Sequence, residues 1–298
     1  MIPTSLRVLV CMAVLAGATA CNRDPRQRLL KLNVPYTADA WLGQAGAGDT
    51  AAMDAFLDAG MDPNVRDASG NTALLNAAAG GHVDVVRMLL EKGAQANVKN
   101  ERGTSPLAAA ILNDHAAVVG LLLDAGAEAN APTVGRHPLM LAIRARRPQL
   151  VKQLLDKGAH AYIQDDQWSA LMMAAFIGDL DSVNALLEKD PNVRAANDEG
   201  ATALMHAASA GHAAVVRALL AKGAVIDAQD LGGITALMLA ANNGHADAAQ
   251  ALLAAGANAG LRSRTGATAR TLGLANGDPK IAALLPDNPA SQAAATKK

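Results

Sequence analysis

The sequence predicts an all-α array of stacked helix-turn-helix units with projecting turns, and three observations carry that expectation. Gly200 opens GATALMHAASAGHAAVVRALLAKGA, and Gly233 opens GITALMLAANNGHADAAQALLAAGA 33 residues later. Each segment holds two short apolar runs at helical spacing, with a glycine between them and a glycine after them. The chain is 51 % apolar but only 2 % aromatic, which suits layers of Ala, Leu and Val between thin helices rather than one large globular core. Neither short helix can bury its apolar stripe alone, so such a unit is stable only when stacked on copies of itself.

Each position in the unit has a physical reason. Thr202 and Thr235 stand where a first helix begins and can cap its unpaired N–H groups. Leu204, Ala207 and Ala208 put small side chains on one face, against which a neighbour can press closely. Gly211 supplies the left-handed residue that ends this helix. Val215, Val216, Leu219 and Leu220 form the apolar stripe of the returning helix, with Leu220 expected in a core layer, and Gly223 ends it.

Taken along the chain, further copies open at Gly70 and Gly103, with a weaker one at Gly266, while 32-residue steps lead into Gly135 and Gln167. Ala45 to Asn64 keeps only the helix-turn-helix core. The pattern G-x-T-A-L-x-x-A-A-x-x-G-H-x-x-V-V-x-x-L-L-x-x-G-A resembles the ankyrin repeat. That resemblance implies an ankyrin-repeat solenoid of about eight units over residues 38–285, the first and last degenerate, with β-turn fingers and a concave face that binds a protein.

The start of the chain reads differently. Residues 1–20 hold a positive residue, Arg7, then an apolar run from Val8 to Ala18, and end in small residues, as a secretory signal does. The run is shorter than the roughly 20 residues needed to span a bilayer. Ala18-Thr19-Ala20-Cys21 resembles a bacterial lipobox, implying a lipid on Cys21 and membrane attachment on the periplasmic side of a cell envelope. Ala18 stands where that family usually has Leu, so ordinary cleavage to a soluble periplasmic product is the alternative. Asn22, in place of Asp, implies the outer membrane. Residues 21–37, with Arg23, Arg26, Arg28 and Lys31, read as the anchor and a solvated basic tether, and 286–298 as a disordered tail. Without its leader the chain retains one cysteine, so stability must come from packing and not from an internal disulfide.

Little in the chain suggests chemistry. His82, His115, His212 and His245 share one repeat position, where the imidazole bonds turn backbone. His137 replaces a capping Thr, His160 lies in a loop, and His206 lies on a first helix facing the concave side. No histidine pair has metal-ligand spacing with a carboxylate or thiol, so no metal or cofactor is expected. Ser105 and Ser169 are helix caps, Asp165 and Asp166 read as solvated charge at a finger tip, and no G-x-S-x-G elbow or phosphate-binding loop occurs. An enzyme is not expected, and with a net charge of −1 neither is a nucleic-acid partner.

Recognition is left, and it falls where the repeat framework does not dictate the residue: at the fingers and at the ends of the first helices. Trp168, Phe176 and Ile177 fall in one unit, with Arg136 and Arg144 in the unit before and Leu231 and Ile234 two units later. Val134 and Leu112 complete the candidate surface. Large aromatics beside arginine are the usual make-up of an interface hot spot. The expected function is a monomeric, membrane-anchored module binding a protein through this surface. The alternative is an immunity or inhibitor protein that occludes an exported toxin or a cell-wall enzyme.

Overall fold

The computed structural model describes residues 24–189, 191–277 and 279–285; the expected leader 1–20, Cys21 and the tail 286–298 lie outside the described residues. The chain divides into two compact units, residues up to 128 with 132–135, and residues 129–131 with 136 onward. In the first unit, α1 (Pro25–Lys31) is followed by the pairs α2 (Ala38–Ala47) and α3 (Thr50–Asp58), α4 (Ala73–Gly80) and α5 (Val83–Glu91), and α6 (Pro106–Leu112) and α7 (Ala116–Asp124). The second unit begins with α8 (Pro138–Arg144) and α9 (Pro148–Asp156), followed by a hairpin of β1 (Gln164–Asp165) and β2 (Trp168–Ser169). It continues with α10 (Ala170–Ile177) and α11 (Leu180–Glu188), α12 (Ala203–Ser209) and α13 (Ala213–Ala221), α14 (Ala236–Asn242) and α15 (Ala246–Ala254), and α16 (Ala269–Asn276) and α17 (Pro279–Leu284).

The first helices begin where the hydroxyls predicted. Thr72, Ser105, Ser169, Thr202 and Thr235 each accept from the backbone N–H three residues on, at 3.1–3.3 Å. His137 caps nothing; its helix starts instead on Pro138, which has no N–H to satisfy. The second helices carry the core on Val85, Val86 and Leu89, and again on Val215, Val216 and Leu219, all at most 1 % exposed. Leu220, expected in a core layer, is only half-buried. It lies one helical step beyond Leu219, off the face that meets the first helix.

The histidines at the starts of second helices tie each repeat to the one before. His82, His115 and His212 donate from Nε2 to the carbonyls of Gly46, Ala79 and Phe176 at 2.8–3.0 Å. Each ring then lies over the turn glycine of the preceding repeat. A methyl at Gly81 would meet the His115 ring at 2.5 Å, and one at Gly211 the His245 ring at 2.6 Å. Asp114 and Arg146 replace this glycine and still adopt the left-handed conformation, with φ of 62° and 55°. In both cases the following unit has lost the histidine and carries Arg147 or Asp179 instead.

The N-terminal segment departs from expectation. Its described part is not a solvated tether: Asp24 caps α1, Pro25 occupies its first position, and Leu29 is 1 % exposed against α3. Arg28 pairs with Asp54 at 2.6 Å and Asp58 at 2.8 Å, two carboxylates one turn apart on α3. Its charge made the segment look solvated, but one buried leucine contributes on the order of 2 kcal/mol and decides the matter. This end also departs from the aliphatic layering, because Trp41 and Phe56 are fully buried in edge contact at 5.6 Å.

Candidate functional site

In the second unit the shortened fingers shape the site. At full length, the finger turn is closed by an Asp or Asn that accepts from backbone two and four residues on, as Asp230 does from Gly232 and Ile234 at 2.8 Å. The finger of the repeat at Gln167 is one residue shorter. It folds as a two-residue hairpin pairing Asp165 with Trp168, with Asp166 left-handed at φ 53°. Asp165 no longer closes its own turn, and its carboxylate reaches back to the preceding repeat. There it accepts from the His137 backbone N–H at 3.3 Å and from His137 Nδ1. Asp165 is 7 % exposed, so the expectation of a solvated finger-tip charge is corrected for this residue, whereas Asp166 is exposed as expected.

That hairpin sets the Trp168 ring against the next repeat. Its centroid lies 4.3 Å from the His206 ring and 5.5 Å, edge-on, from Phe176 at the end of α10. Phe176 meets His206 at 6.4 Å in a T-shaped contact. Trp168 is half-buried by these contacts, while Phe176 remains 47 % exposed, so the accessible aromatic surface belongs mainly to Phe176. His206 Nε2 is buried without a partner, and burial holds its pKa below the ordinary imidazole value. The backbone of Phe176 is fixed in turn by His212, which donates to its carbonyl at 3.0 Å.

Trp168 and Phe176, with Met173 beneath, face Arg136 and Arg144 across a hollow of about 280 Å³ edged by Asp165 and Asp166. Neither guanidinium makes an ion pair or hydrogen bond with another described residue. The hollow therefore offers apolar area beside two cationic groups whose hydrogen-bonding capacity is open. Four of the candidate residues come together here. Ile177 is half-buried outside the hollow, and Leu231, 59 % exposed, and half-buried Ile234 lie on a later finger. Leu112 and Val134 are exposed on the first unit.

Sequence reading left three participants out of the site: His206, Met173 and the His137–Asp165 pair. A signal for the pair existed, since His137 sits at a capping position and the finger 28 residues on is a residue short. Among the described residues no group of three His, Cys, Asp or Glu could hold a metal ion, and no helix is long and apolar enough to cross a membrane.

Comparison with known proteins agrees with the repeat fold. A family model of ankyrin repeats in three copies matches residues 44–133 and 139–230, and a second, of ankyrin repeats in many copies, matches 219–272. The crystal structure of the human ASB11 ankyrin repeat domain is similar at 28 % identity with a TM-score of 0.64, covering 72 % of this chain and 96 % of that one. The likeness extends to 551 solved chains, so it specifies a fold and an interaction-module character rather than a particular partner. No curated protein matches. With its repeat units, their caps and the family match over most of its length, this chain belongs to the ankyrin-repeat family.

Proposed function

We propose that this protein is a membrane-anchored periplasmic interaction module that binds a protein partner through its fingers and first-helix ends, centred on Phe176. The observation that carries the reading is the hollow itself, where a half-exposed phenylalanine and two unpaired arginines stand on a framework fixed by the hairpin, His206 and His212. A surface held in shape before binding loses little entropy on binding. Attachment rests on the lipobox-like Ala18-Thr19-Ala20-Cys21. Only three residues separate Cys21 from Pro25, so a lipid there would keep α1 within roughly 15 Å of the bilayer even with the intervening chain extended.

Two comparisons test this. Crosslinking and pull-down from intact cells should recover one envelope protein with the parent and lose it with Phe176→Asp; the same partners with both would refute the site, and none with either would refute the binding role. Cys21→Ser should move the protein from the membrane fraction to the soluble periplasm, and an unchanged distribution would refute lipid anchoring.

A further inference from the structure

Resting on the binding role just proposed, the arrangement of the hollow specifies the chemistry of the partner. Arg136 and Trp168 occupy the same repeat position, immediately before the first-helix cap, and Arg144 and Phe176 occupy the same position at that helix's end. One repeat therefore presents two guanidiniums and the next presents two aromatic rings, at matching heights. The corresponding residues of the following repeat, Ala201 and Ser209, are small and end the patch. Asp165 does not neutralise the arginines, because its carboxylate is turned to His137.

We infer that this patch takes an extended acidic segment of a protein partner, with a carboxylate side chain on Arg136 and Arg144 and an apolar or aromatic side chain on Phe176 and Trp168. Stacked helices lie roughly 8–10 Å apart, and an extended chain advances about 3.3 Å per residue. The acidic and apolar residues of the partner are therefore about three positions apart. Two arginines across the hollow from an aromatic wall select a carboxylate by charge and by bidentate hydrogen bonding, and the wall excludes water from one side of the contact. A basic segment would meet the two guanidiniums as like charges.

The test places the photoreactive residue p-benzoylphenylalanine at position 176 of the full chain, irradiates intact cells and sequences the crosslinked partner segment. Expected is a segment with Asp or Glu within about three residues of the crosslinked position, and a yield that drops roughly tenfold with Arg136→Glu and Arg144→Glu together. Circular dichroism and melting of each variant must match the parent, and Arg136→Gln with Arg144→Gln, which removes charge without reversing it, should show an intermediate loss. A neutral or basic segment, or a yield indifferent to both arginine pairs, overturns the inference. Capture by the same residue placed at Leu231 but not at 176 overturns it while leaving the binding role standing, and capture at neither position overturns both. Arginine-dependent sedimentation with phosphatidylglycerol vesicles, without a protein crosslink, would assign the arginines to a lipid surface and overturn it as well.

Discussion

The pairing of turn glycine and histidine between repeats makes a sharp prediction at Gly178. Its φ is 79°, and a methyl on its Cα would fall inside the His212 ring. Gly223, with φ 86°, is a control of nearly the same backbone conformation, where the nearest heavy atom is Arg194 Nη2 at 3.9 Å. An L-residue in the left-handed region costs about 1–2 kcal/mol, offset by roughly 0.4–1 kcal/mol because alanine also restricts the unfolded chain. Gly223→Ala should therefore cost about 1 kcal/mol. Gly178→Ala bears the same cost and must also swing His212 away from the Phe176 carbonyl, losing a hydrogen bond worth about 0.5–1.5 kcal/mol. The expected total is about 1.5–3 kcal/mol. The assay is urea denaturation followed by circular dichroism on Gly178→Ala, His212→Ala and the double variant. Once the ring is gone the methyl has space, so the double variant should be more stable than the sum of the singles implies, by about 1 kcal/mol. Additive effects, or a Gly178→Ala no worse than Gly223→Ala, would refute the account. Asp114 and Arg146 already agree with it, since the repeats after them lack the histidine.

The same reasoning gives other outcomes. Leu219→Ala, at a fully buried site, should cost roughly 2–5 kcal/mol, and Leu220→Ala, one step along the helix, clearly less; equal losses by denaturant midpoint would put the register in error. Leu29→Ala should destabilise the first helix pair and expose residues 24–37 to proteolysis, whereas Arg28→Ala should cost about 1 kcal/mol or less because its pairs with Asp54 and Asp58 are largely solvated. His206 is held below its ordinary pKa of 6.5 by burial, so the unfolded chain binds its proton more readily than the folded one. Stability should fall as pH drops below that value, and His206→Gln should flatten that fall, checked by denaturant midpoints. Asp67 and Asp156 have lowered pKa values, so they stabilise above 3.8 and lose that contribution as pH falls below it, a range apart from that of His206.

By itself the sequence determined the repeat, its caps and its turns, because these depend on residues three to five apart and recur every 32 or 33 positions. Thr202 caps α12, Gly211 ends its turn with φ 80°, and Val215 and Val216 are buried, as their spacing alone requires. It also identified Arg136, Arg144, Trp168 and Phe176 as departures from the framework. Tertiary structure decided everything that depends on a neighbour about 30 residues away. Whether Asp165 meets water or His137 depends on a finger one residue short, which releases its carboxylate from its own turn. How much of Trp168 is accessible depends on His206 standing under its ring. Residues 24–37 looked like part of a charged linker, yet they fold on α3 because Leu29 finds an apolar face there and Arg28 finds two carboxylates. Local spacing writes the unit, but burial and pairing between units require two segments to meet, and only the folded chain brings them together.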